Sequence, residues 1–71
     1  MNIVDHGHHG VIKDVDANKE IKKQIESLIK KHGITRSTSW INGNIDYHIM
    51  PWDWIKNKEF KKELFWIALG N

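Results

Sequence analysis

The sequence predicts a small α+β domain: a three-stranded sheet, antiparallel or mixed, with two helices on one face in the order β-α-β-β-α. Three observations predict it. An apolar stripe of helical period runs from Ala17 to His32. Asn42-Gly43 joins two alternating segments. A second helical stretch begins just after Pro51 and stops at Gly70. With 71 residues the chain is read as a single domain, 1–71.

The first ten residues, MNIVDHGHHG, read as a flexible segment rich in histidine and glycine, within which Ile3 and Val4 suit a short strand. Val11 to Val15 is β-branched and roughly alternating, which predicts a strand beside the later hairpin. Which strand it adjoins is not readable from the pattern.

The first helix follows. Ala17, Ile21, Ile25, Leu28, Ile29 and His32 fall on one face of a 3.6-residue period. Asp16 stands where a carboxylate can accept from free N–H groups and is the expected N-cap. Lys30, Lys31 and His32 place positive charge at the carbonyl end. Gly33 suits the left-handed residue that closes a helix, with Ile34 folding back on the last turn.

Asn-Gly selects a two-residue type I′ turn, which fixes the hairpin register. Ile41 faces Asn44, Trp40 faces Ile45, Ser39 faces Asp46, Thr38 faces Tyr47, Ser37 faces His48 and Arg36 faces Ile49. One face then carries Trp40, Ile45, Tyr47 and Ile49 toward the core. The other carries Ser37, Ser39, Asp46 and His48, with Ile41 beside the turn. A one-residue slip would exchange the faces. The serines, aspartate and histidine therefore share a wet side. A nucleophilic triad needs an oriented base and an oxyanion hole shielded from water, and an open sheet face offers neither. The expectation is a protein without catalytic residues.

The last helix is expected from Trp52 or Asp53 to Leu69, with Pro51 pre-set for a first turn and a kink near Asn57. Phe60, Leu64, Ile67 and Ala68 form one stripe. Phe65, Trp66 and Leu69 lie on the opposite side, with Ile55. The final two turns, LFWIAL, are apolar all round and need more cover than this small body supplies.

Composition narrows the function classes. There is no cysteine, so neither a disulfide framework nor a thiolate metal site is available. No apolar run approaches the roughly 18 residues of a membrane span, and the first residues do not resemble a signal peptide, so a cytoplasmic location is expected. Lysine, isoleucine and asparagine are abundant, as in the AT-rich genomes of some bacteria and their phages. Four tryptophans are many for this length. They are large buried plugs or anchors for a partner.

The predicted function is a small non-enzymatic protein-binding module. It suits a phage or mobile-element accessory protein that inhibits a host factor. Trp66, Phe65, Leu69, Trp52 and Trp54 are the expected contact, with another protein or with a second copy. The alternative is a basic nucleic-acid binder using Lys22, Lys23, Lys30, Lys31, Lys61 and Lys62 against phosphates. Against it stand a net charge of only +2 and a single arginine. No cofactor is expected. Zinc or another transition metal at His6, His8 and His9 is the one metal alternative, since an extended HGHHG points His6 and His8 the same way.

Overall fold

The computed structural model describes residues 1–70, in one antiparallel sheet backed by a helical layer. The elements are β1 (Asn2–Asp5), β2 (Gly10–Lys13), α1 (Lys19–His32), β3 (Arg36–Ile41), β4 (Asn44–Ile49), α2 (Pro51–Lys56) and α3 (Lys58–Leu69). A single 3-10 turn, Val15–Ala17, precedes α1. Sheet order is β1-β2-β4-β3, with every pair antiparallel.

The α+β class stands, but the sheet has four strands rather than three, and the helical layer has three helices rather than two. The extra strand comes from the glycines. Gly7 takes φ 87, which turns HGHHG back on itself. The His6 N–H donates to the His9 carbonyl at 2.9 Å, and the Gly7 N–H to the Asp5 carboxylate at 2.8 Å. Ile3 and Val4 therefore return beside Ile12 and Val11. Residues 2–9 thus form β1 and the turn that leads into β2.

β2 ends at Lys13 because Asp14 adopts a left-handed backbone, φ 54. Beyond that point β4 would lack a neighbour. The Ile45 N–H faces this gap, and Asp16 Oδ1 accepts it at 3.0 Å. Asp14 N–H likewise donates to Asp46 Oδ1. Asp16 is therefore occupied with the sheet and does not cap α1. Asn18 does, its side-chain oxygen accepting from the Glu20 and Ile21 N–H groups. At the other end Gly33 takes φ 62, and Ile34 N–H reaches the Ile29 carbonyl at 2.9 Å, the closure expected of a left-handed glycine.

The β3–β4 register is the one that Asn42-Gly43 predicts, from Ile41↔Asn44 to Arg36↔Ile49. Asn42 and Gly43 both have positive φ, as a type I′ turn requires. Ile45, Tyr47 and Ile49 point into the core beside Ile12. Trp40 does not: it is 70% exposed. The face is right, but β3 is the sheet's edge, and the helical layer meets it through Glu26, which binds Arg36. Asp46 departs in the other sense. It lies on the open face yet is buried under the Asp14 turn.

The C-terminal helix is divided. Asn57 leaves helical geometry (φ −92, ψ 81), and its side chain accepts from the Phe60 N–H at 3.0 Å, capping a new helix. The break lets α2 and α3 point their apolar residues at the same core from different directions. Trp54 from α2 and Phe60 and Leu64 from α3 are fully enclosed. They pack with Ile21, Ile25, Leu28 and Ile29 of α1. No helix among the described residues is long and apolar enough to cross a membrane.

Candidate functional site

α3 has two unlike faces. Phe60 and Leu64 point inward, with Ile67 packed at the margin of the core. Phe65, Trp66 and Leu69 point outward and share about a third of the helix circumference, by the 100° step of an α-helix. Trp66 is 67% and Leu69 80% exposed, with Phe65 partly covered beside Trp54. The patch is not debris of poor packing, because the core is closed without it. Contiguous apolar surface of a few hundred Å² is where small domains meet partners.

The same outward face turns basic toward its start. Lys62 and Lys58 lie one and two turns before Phe65 and Trp66 on this side, a proximity that follows from helical spacing. Lys61 flanks them and sits over the Trp54 ring at 4.6 Å. Glu63, by contrast, faces α1. It accepts from Lys31 at 2.8 Å and His32 at 2.5 Å, and these two partners, Lys31 first, hold its carboxyl below the usual range. Glu63 is thus spent on joining two helices, which leaves exposed Glu59 as the acid among the outer lysines of α3.

The two other tryptophans proposed for contact part company. Trp52 is exposed at the start of α2 and borders a shallow depression with Lys56, Lys58 and Glu59. Trp54 is wholly buried, packed on Gly10, with its indole N–H donated to Asp5. It belongs to the core and leaves the contact set. Its α2 position, three residues past Pro51, aims it under the sheet. Helical periodicity over so short a segment does not disclose that.

The lysines considered for nucleic acid are dispersed. Lys22 and Lys23 border one depression on α1 with Lys19 and Glu26. Lys31 is held by Glu63, and Lys61 sits on Trp54. Lys30 is exposed in the last turn of α1, and Lys62 belongs to the α3 face. Trp40, expected to be buried, is available for stacking, whereas Tyr47 is enclosed and its hydroxyl donates to Glu26.

The histidine turn is compact rather than extended. His6 and His9 rings stack at 4.6 Å, and His8 meets His9 edge-on at 4.3 Å. His9 Nδ1 and His8 Nε2 lie 2.9 Å apart, a distance that needs one of the two to be unprotonated. Desolvation, then the neighbouring charges of His8, His6 and His48, lower the His9 pKa. Among the described residues no group of three or more His, Asp or Glu side chains is arranged to hold a metal ion. On the open sheet face Ser39 Oγ and His48 Nε2 are 2.9 Å apart. The nearby Asp46 carboxylate receives the Asp14 N–H.

Comparison with protein-family models, curated proteins and solved structures gives no match.

Proposed function

We propose that this chain is a small docking protein without chemistry of its own, which covers a surface on a larger protein with the outer face of α3. One observation carries the reading: Trp66, Leu69 and Phe65 stand outside a core that Trp54, Phe60 and Leu64 already fill. Large aromatic side chains left in water supply binding free energy at little ordering cost, since the helix holds them in place beforehand. Lys58, Lys61 and Lys62 favour a partner whose surface is apolar with an acidic margin. Occupying such a surface is how a domain of this size would act as an inhibitor.

The test compares affinity capture by wild type, Trp66→Asp and Lys13→Asp, the last altering a charge on β2, away from α3. Proteins retained by wild type and Lys13→Asp but lost with Trp66→Asp support the reading, provided that the Trp66 variant keeps its helical circular dichroism. An identical retained set for all three, or unfolding of Trp66→Asp, defeats it. Oligonucleotide retention that fades steeply with salt and ignores Trp66→Asp would point instead to phosphate binding.

A further inference from the structure

The second unpartnered surface is the free edge of β3, and here the backbone sets the geometry in which a further strand would pair. In a hairpin closed by a two-residue turn, the residues flanking the turn form a hydrogen-bonded pair. Ile41 and Asn44 are that pair. It follows that Ile41, Ser39 and Ser37 direct their N–H and C=O groups at β4. Trp40, Thr38 and Arg36 direct theirs away from it. The Ile45 N–H agrees with this parity, since it points away from β3 and is taken by Asp16. β3 is the last strand of the sheet, so the outward groups of Arg36, Thr38 and Trp40 meet solvent.

This edge lacks the usual guards. Edge strands are normally protected by proline, by charge or by brevity. β3 is six residues long, contains no proline and has one charge, Arg36. That guanidinium is drawn inward, over the Tyr47 ring at 4.3 Å and onto Glu26 at 2.9 Å. The opposite edge, β1, is four residues long and ends in the charged Asp5. On the helical side of β3, Thr38 and Trp40 are both exposed, so the layer below leaves room for another strand.

We propose that β3 pairs antiparallel with β3 of a second copy, about a two-fold axis at Thr38. Pairing must match outward residues with outward residues. Centring on Thr38 sets Thr38 against Thr38 of the second copy, and Trp40 against its Arg36, in both directions. This register engages all three outward residues of each chain, giving about six inter-chain hydrogen bonds at two per paired residue. A shift of the axis to Ser37 or Ser39 loses one of the three pairs. The side-chain chemistry fits as well. Trp40 on the helical side receives the aliphatic stem of the second copy's Arg36, a favourable cross-strand pair, while that guanidinium stays on Glu26. Ser37 meets Ser39 on the open side, and no like charges are opposed. A single strand pair buries less than the roughly 1,200 Å² of a standard interface, so the dimer is weak and exchanges readily.

Sedimentation velocity from micromolar to millimolar protein tests this. The expected result is a monomer that converts to a dimer with rising concentration. Thr38→Pro removes an N–H that serves no bond among the described residues, so it should keep the fold and abolish the dimer. Trp40→Lys opposes the second copy's Arg36 and should raise the dissociation constant about tenfold. Trp66→Asp should leave the dimer unchanged, which separates this surface from α3. A monomer at every concentration overturns the proposal. So does a dimer that persists in folded Thr38→Pro, or, should that variant not fold, one unmoved by Trp40→Lys.

Discussion

The indole Nε1 of Trp54 donates a 3.0 Å hydrogen bond to the carboxylate of Asp5, which also receives the Gly7 N–H at 2.8 Å. One carboxylate thus ties the enclosed tryptophan of α2 to the first hairpin. The Trp54 bond, the Gly7 bond and the charge of Lys61 lower the Asp5 pKa below its ordinary 3.8. A lowered carboxyl pKa stabilises the fold above the unfolded value, and that stability is lost as pH falls through the folded one. Urea midpoints should therefore decline below about pH 4 as Asp5 and Glu63 take up protons. Asp5→Asn should be less stable at pH 7 and lose less on acidification than wild type.

Gly10 is required by contact rather than by backbone conformation. A Cβ there would lie 2.5 Å from the Trp54 ring, which cannot yield because the ring is fully buried. Gly10→Ala should cost about 1–3 kcal/mol, the range of overpacked cores, read from urea unfolding.

The two fates of tryptophan are separable by stability alone. Trp54→Ala should cost about 3–5 kcal/mol through loss of core volume. Trp66→Ala should move stability by no more than about 0.5 kcal/mol, as for an exposed site. A large loss at Trp66 would place it in the core and remove the basis of the docking reading.

The histidine turn should make the fold sensitive to mild acid. The His9 pKa lies below its ordinary 6.5, so the unfolded chain binds a proton more readily than the folded one. Stability is then complete above about pH 6.5 and falls as pH drops through the folded value. Thermal melts between pH 7.5 and about 5 should show a declining midpoint, and His9→Gln should flatten that slope.

Asn18 takes the capping role that spacing assigns to Asp16, and Asp16 serves the Ile45 N–H instead. Asn18→Ala should cost about 1 kcal/mol and fray the first turn of α1. Asp16→Ala should leave that turn intact and cost about 1–3 kcal/mol by stranding the Ile45 N–H. Amide exchange at Glu20, Ile21 and Ile45 distinguishes the two.

These pairs show what was legible in the sequence. The hairpin register was legible because Asn42-Gly43 leaves one tight turn, and the alternating apolar set agrees with it. The α1 stripe was legible from its period, and so were the two faces of α3. The fourth strand was legible only as a short stretch at Ile3 and Val4 and was not counted in the sheet. Its signal is two or three apolar residues before a histidine turn, too short to stand out until Gly7 reverses the chain. The start of α1 misled because Asp16 has the chemistry of a cap but is claimed by a distant N–H on β4, which leaves the cap to Asn18. Trp40 was misplaced because the cover above a residue depends on where the sheet ends, which alternation within a strand does not encode; Trp54 was misplaced because a six-residue helix carries too little periodicity to show which side meets the sheet. Of the candidate contact, the α3 residues were readable and Trp54 was not.

β2 sits between β1 and β4, and this has a consequence for how the chain is made. The strand that needs neighbours on both sides, β2, ends at Lys13, and its second neighbour, β4, is complete only at Ile49, 36 residues later in synthesis. Until then a nascent chain holds a lone hairpin and an amphipathic helix with nothing to lie on. Early residues wait for late ones, and non-local pairings of this kind slow folding and leave apolar segments open in the interval. β2 therefore gains its second neighbour only after β4 is made, and the Trp54 ring reaches Gly10 later still.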